Sequence, residues 1–232
     1  MKNVTIRKLI GALLILLCSN IYTQAYAGVA LGATRVIYPA GQKQVQLAVT
    51  NNDEKSVFLI QSWVENTSGK KDSQFAVTPP LFTMQGKKEN TLRIIDATNN
   101  QLPQDRESLF WLNVKAIPAM DKSKQNENML QLAIISRIKL YYRPTNLSVS
   151  PETVAESLRF RRQAGSVIVI NPTPYYATVT SLNIGSTKLD NVLVPPFGEA
   201  SVSAPTNANG GITFQTINDY GALTPKMAGN IQ

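Results

Sequence analysis

From Val29 onward the chain is a succession of short runs of β-favouring residues in which apolar and polar side chains alternate, each ended by proline, glycine or a polar turn. Almost nothing recurs at the helical period, so the polypeptide is confined to layered sheets, an all-β fold. Runs at 33–38, 45–51, 58–64, 75–78, 91–96, 107–117 and 130–142 supply the strands of one immunoglobulin-like β-sandwich, with Trp63 and Trp111 as expected core-layer residues. Arg143-Pro144 closes this set, because proline removes a ladder donor and holds the preceding residue extended. A second series at 158–162, 166–171, 177–184, 188–194, 199–203 and 211–217 makes a smaller sandwich. The domains expected are therefore 28–146 and 147–232.

Residues 1–27 read differently. Lys2, Arg7 and Lys8 precede an uncharged apolar run from Leu9 to Cys18, too short to span a bilayer, and Ala25-Tyr26-Ala27 is a small-x-small triplet. This is the pattern of a secretory leader cleaved after Ala27. Bulky Leu17 before Cys18 is a poor fit to lipoprotein processing. Removal of the leader takes away the one cysteine and three cations of a formal charge of +8, leaving a mildly basic exported chain without disulfides. A large core makes disulfides dispensable even in an oxidising compartment.

The missing residue types exclude much chemistry. With no histidine anywhere and no cysteine after the leader, histidine- and cysteine-based nucleophilic triads and all imidazole or thiolate metal sites are ruled out, and no cofactor or metal is expected. Ser136 and Lys139 match the S-x-x-K spacing of penicillin-recognising enzymes, but that motif needs a helix, and in the alternating run where they lie they would face opposite ways. No phosphate loop is present. Lys87-Lys88 and the 159–162 cluster are too short to signal a nucleic-acid surface.

One strand is unusual. Leu130, Leu132, Ile134 and Ile138 share one face, interrupted by Ser136, while Ala133 and Ile135 add apolar surface to the other. A central strand buried on both faces reads this way. At an edge, the same run would be an aggregation hazard unless it pairs with another chain. A polar stretch at 119–128 leads directly into it. Arg35 and Lys139 are cations inside otherwise buried-looking runs: each either extends to solvent or to a nearby acid, or both converge on one anionic group such as a carboxylate. Lys139 has the opposite parity to Leu130, Leu132 and Ile134, so a regular strand would direct it away from them.

The segment 102–118, Leu-Pro-Gln-Asp-Arg-Glu-Ser-Leu-Phe-Trp-Leu-Asn-Val-Lys-Ala-Ile-Pro, resembles the signature of the PapD-like periplasmic pilus chaperones. Further likenesses run the length of the mature chain, at 33–39, 78–82, 137–144, 171–176 and 217–221, and the nearest members are those of type 1 pili. The resemblance implies a non-catalytic periplasmic protein of two immunoglobulin-like domains in an L or boomerang arrangement. Such a protein binds pilin subunits, tip adhesin included, by donor-strand complementation, promotes their folding, prevents premature polymerisation and delivers them to the outer-membrane usher. It implies that Leu130, Leu132 and Ile134 insert into the pilin groove and that Arg35 and Lys139 anchor the pilin C-terminal carboxylate. It also implies an interdomain ionic network of Glu107, Arg143 and Asp219 and an usher-facing patch of Leu59, Gln61, Thr78, Pro80 and Arg93. Self-association of the free form would be one way to cap the apolar strand. The rival readings are the S-x-x-K hydrolase and a pilin or adhesin subunit, although pilins of this pathway are single incomplete sandwiches with an N-terminal donor segment.

Overall fold

A computed structural model describes residues 28–99, 101–120 and 130–231. The leader cleavage expected after Ala27 and most of the polar loop at 119–128 lie outside the described residues. Nine strands form the first domain: β1 (Val29–Leu31), β2 (Arg35–Pro39), β3 (Gln44–Asn51), β4 (Phe58–Glu65), β5 (Phe75–Thr78), β6 (Leu81–Met84), β7 (Glu89–Asp96), β8 (Ser108–Pro118) and β9 (Ile134–Arg143). Two sheets, ordered β1-β3-β7-β5 and β2-β9-β8-β4-β6, face each other. The second domain holds β10 (Arg159–Gln163), β11 (Ser166–Asn171), β12 (Ala177–Ile184), β13 (Thr187–Lys188), β14 (Val192–Val194), β15 (Gly198–Ser203), β16 (Ile212–Thr216), β17 (Met227–Ala228) and β18 (Asn230–Ile231). Its sheets are ordered β15-β11-β10-β18 and β13-β12-β16-β17, with β14 also on β12.

Period-two alternation builds both sandwiches. The buried residues of β3 and β7 fall at every second position, and Leu47, Val49, Leu92 and Ile94 meet Leu112, Val114 and Leu140 of the facing sheet in one core. Tyr38, Phe75 and Phe110 fill its end, with ring centroids 5.3 Å and 4.9 Å apart. Tyr38 is fully buried yet satisfied, because its hydroxyl donates to the Gln42 carbonyl and accepts from the Asp96 amide. Phe160 and Phe214 anchor the separate core of the second domain.

The structure departs from the sequence reading in four places. Short β1 and β6 were not expected, nor was the helical turn Val154–Ser157. The run at 188–194 is split between β13 and β14. Trp63 and Trp111 are on the outer face of their sheet rather than in the core layer: Trp63 pairs across β4–β8 with Asn113, while the intervening Ser62 and Val64 point inward. The apolar strand begins at Ile134, so Leu130 and Leu132 precede it. The β8–β9 ladder ends with Ala116 opposite Ile134, although β8 itself continues to Pro118 on its other side, paired with β4.

Candidate functional site

The short length of β2 decides the site. It pairs in parallel with β9 from Arg35 opposite Lys139 to Pro39 opposite Arg143 and goes no further. The C-terminal half of β9 is therefore a central strand between β2 and β8. Among the described residues its N-terminal half, Ile134–Ile138, pairs with β8 alone, which leaves its other edge open. Burial follows this division, from exposed Ile134 and Ile135 to buried Leu140, Tyr141 and Tyr142. Leu130, Leu132 and Ile134 are 83%, 67% and 68% exposed, an extreme value for three large apolar side chains beside an open edge.

At the point where β2 begins, Arg35 and Lys139 are side by side. The ladder from Ile134 to Arg143 has no register shift, so Lys139 projects from the face opposite Ile134, as its parity predicts. The same alternation separates Ser136 from Lys139. Both cations point toward the second domain, where Lys139 Nζ donates to Thr178 Oγ1 at 2.9 Å and Arg35 Nη1 to the Ile217 carbonyl at 3.2 Å. Among the described residues neither has a carboxylate at ion-pair distance. Arg35 Nε is buried without a hydrogen-bond partner. Desolvation, reinforced by the Arg35 charge, pushes Lys139 down to about 8. Two adjacent, partly desolvated cations with unused donors have the chemistry to hold an anion such as a carboxylate.

Glu107, Arg143 and Asp219 do come together, and not as exposed surface charges. Arg143 Nε donates to Glu107 Oε1 at 2.7 Å, while its two terminal nitrogens hold Asp219 in a bidentate fork at 2.6 and 2.8 Å. The Glu107 side chain is 1% exposed, and its second oxygen accepts the Tyr176 amide at 2.8 Å. Burial raises Glu107 above the usual carboxylate range, against the opposing pull of Arg143. The Glu107 amide donates to the Pro174 carbonyl, which adds a second crossing between the domains.

Leu59, Gln61, Thr78, Pro80 and Arg93 gather where the chain crosses from one sheet to the other. Thr78 pairs with Arg93, Gln61 with Leu81, and the Ser62 amide donates to the Pro80 carbonyl beside the cis Thr78–Pro79 bond. Leu59 and the neighbouring Leu81 are exposed.

Sequence reasoning missed the groups supplied by the second domain. Nothing about Thr178 marks it as the acceptor for Lys139. The segment 217–221 was noticed as a motif, but its docking against Arg35, 182 positions away, has no local signature. The clasp of Arg137 was also missed: its guanidinium stacks over Trp111 at 4.7 Å and pairs with Glu65, the same carboxylate that accepts from Trp63 Nε1.

Comparison with known proteins is consistent with this geometry. Residues 28–148 match the family model "Pili and flagellar-assembly chaperone, PapD N-terminal domain", and residues 153–228 match "Pili assembly chaperone PapD, C-terminal domain". The chain is 68% identical to the chaperone protein FimC of Escherichia coli O6:H1, with 98% of each chain covered. It is 65% identical to the chaperone protein FocC of Escherichia coli, covering 90% of this chain and 92% of that one. Among solved structures, the periplasmic chaperone SfaE superposes with a TM-score of 0.79 at 63% identity, covering 88% of this chain and all of that one. The Salmonella enterica SafB chaperone, solved in complex with the SafA pilin, superposes with a TM-score of 0.78 at 33% identity, covering 89% of this chain and 97% of that one.

Proposed function

We propose that this chain, which belongs to the PapD family of pili-assembly chaperones, lends the open half of β9 to an incomplete pilin subunit in the periplasm. Membership makes it a chaperone of the chaperone–usher pathway. The proposal concerns which residues carry the work. Chaperone–pilin complementation is itself an established example of strand addition to a sheet edge. The observation that carries the reading is the coincidence of an unpaired, apolar β9 edge with two unneutralised cations at the end of that edge.

The division of labour follows from which way each side chain points. A subunit strand added beside Ile134–Ile138 continues the position β2 occupies further along and takes up the free backbone groups. Leu130 and Leu132 extend the β9 line beyond its present start, so pairing lengthens the strand and turns all three apolar side chains into the subunit's groove. Burying each contributes about 1.5–3 kcal/mol. Arg35 and Lys139 hold the terminal carboxylate and thereby fix the register, since the strand cannot slide while its end is anchored. Leu59, Gln61, Thr78, Pro80 and Arg93 are on β4, β7 and the β5–β6 crossing rather than on this edge, although Gln61 and Pro80 share a surface hollow with Ile135, and they would contact the usher while a subunit is bound.

Co-expression with a type 1 pilin, purification through a tag on this chain and weighing of the intact complex test the reading. A one-to-one complex is expected, absent with Arg35→Ala or Lys139→Ala although both variants melt as folded proteins. Near-normal complex yield from both would sink the anchoring roles. A pilin complex made equally well by Leu130→Ser/Leu132→Ser/Ile134→Ser would sink the strand-donation role.

A further inference from the structure

Both cations of the anchor belong to the first domain, yet each is held by an acceptor from the second. The turn Ile217–Gly221 does more of this than any other segment. Its Ile217 carbonyl takes Arg35 Nη1, its Asp219 carboxylate takes Arg143, and its Gly221 is seated on Thr34, the residue just before Arg35. Gly221 has φ +82°, and a Cβ built on it collides with the Thr34 hydroxyl. Glycine suits both demands, the positive φ and the room taken by the Thr34 side chain.

The turn is stiff enough to transmit a push. Asn218 Oδ1 accepts the Tyr220 and Ala222 amides at 3.1 and 2.9 Å, and the Gly221 amide returns to the Asn218 carbonyl at 3.0 Å. An isolated bridge joins Ile217 to Leu223 across it. A methyl wedged between Gly221 and Thr34 is accommodated either by rotation of the Thr34 hydroxyl or by a shift of the turn, and the shift would carry with it the Ile217 carbonyl that accepts from the Arg35 guanidinium.

We infer that Gly221 is a positioning residue for subunit capture: its close seating on Thr34 sets where Arg35 presents its donors, so the second domain tunes the carboxylate anchor while contributing no anchor side chain. This inference rests on the carboxylate-capture reading above.

The test uses the full chain and a synthetic peptide of the co-expressed pilin's C-terminal strand, made once with a free carboxylate and once with a carboxamide. Hydrogen bonds to a charged group make the wild-type preference for the carboxylate about ten- to hundredfold. In Gly221→Ala that preference is expected to collapse toward one, with carboxamide binding little changed because strand pairing is intact. Adding Thr34→Ala is expected to restore it, since removal of the hydroxyl leaves the Thr34 Cβ 3.5 Å from the new methyl, an ordinary contact. Gly41→Ala is the control for backbone strain alone: Gly41 also has φ +82°, but nothing is within 4 Å of its Cβ position. Thr34→Leu enlarges the same contact without that strain, so it carries the test if Gly221→Ala is poorly folded. Full preference in folded Gly221→Ala or in Thr34→Leu, or a double variant that folds and does not recover, would overturn the inference. A wild-type protein that binds both peptides equally overturns the carboxylate reading itself, whatever the variants do.

Discussion

Lys139 is a charge held at a cost to folding. In the free protein its ammonium is desolvated and faces Arg35 with only the Thr178 hydroxyl as an acceptor, which lowers it to about 8. A lysine depressed in the folded state is protonated more readily when unfolded, so the charge opposes folding fully below pH 8. That opposition is relieved as pH rises from about 8 toward the ordinary lysine value of 10.5. Tyr141, pushed up to about 12 by burial, contributes little in that window. Urea denaturation of the wild type and Lys139→Met at pH 7 and pH 9.5 should show the variant more stable at pH 7 and the difference shrinking at pH 9.5; a difference that grows with pH would refute the assignment. Subunit binding should show the opposite preference. A bound carboxylate pulls the lysine back up, so affinity is expected to fall as pH rises above 8. Parity and residue type made Arg35 and Lys139 legible in the sequence. Their desolvation was not legible, because the groups that cover them come from a domain folded separately in sequence.

Within β9, two opposed readings of one apolar run both turn out to be correct for different halves. Leu140 and Tyr142 are core residues between two neighbouring strands, and Ile134 and Ile135 are exposed beside one neighbour. Composition could not choose, because the deciding fact is where β2 starts. Hydrogen exchange should resolve this division. Amides in 134–138 directed away from β8 are expected to exchange fast in the free protein and slow on subunit binding, while those in 139–143 are protected throughout. Uniform protection along the free strand would mean the open edge is already capped, for instance by a second copy of the chain. Mutational cost should divide the same way. Leu132→Ser or Ile134→Ser should change free stability by about 0.5 kcal/mol or less, as for other exposed positions, and weaken the complex by about 1.5–3 kcal/mol each.

Across the whole molecule, the Arg143 cluster joins side chains of the two sandwiches, and it is expected to couple their unfolding. Arg143 neutralises Glu107, which is almost fully enclosed and already raised by burial. Breaking such a pair from one side typically costs about 3–5 kcal/mol, because the remaining charge has no solvent to retreat to. In Arg143→Met, Glu107 should avoid that cost by taking up a proton. Its folded pKa then rises further above the unfolded value, so its proton-linked stability is present below the unfolded pKa and is lost as pH climbs through the folded one. The variant is therefore expected to be close to wild type near pH 4 and far weaker at pH 8, whereas Glu107→Gln/Arg143→Met should lack that slope. The same experiment reports on coupling between the domains. The two tryptophans, Trp63 and Trp111, are both in the first domain, while circular dichroism reads the strands of both. In the wild type the fluorescence and dichroism transitions should coincide. At pH 8 in Arg143→Met they should separate, as the ion pair with Asp219 that carries the cluster across the interface is lost. Coincident transitions in the variant at both pH values would mean that the domains are coupled by their packing alone, with the ionic cluster merely sited between them.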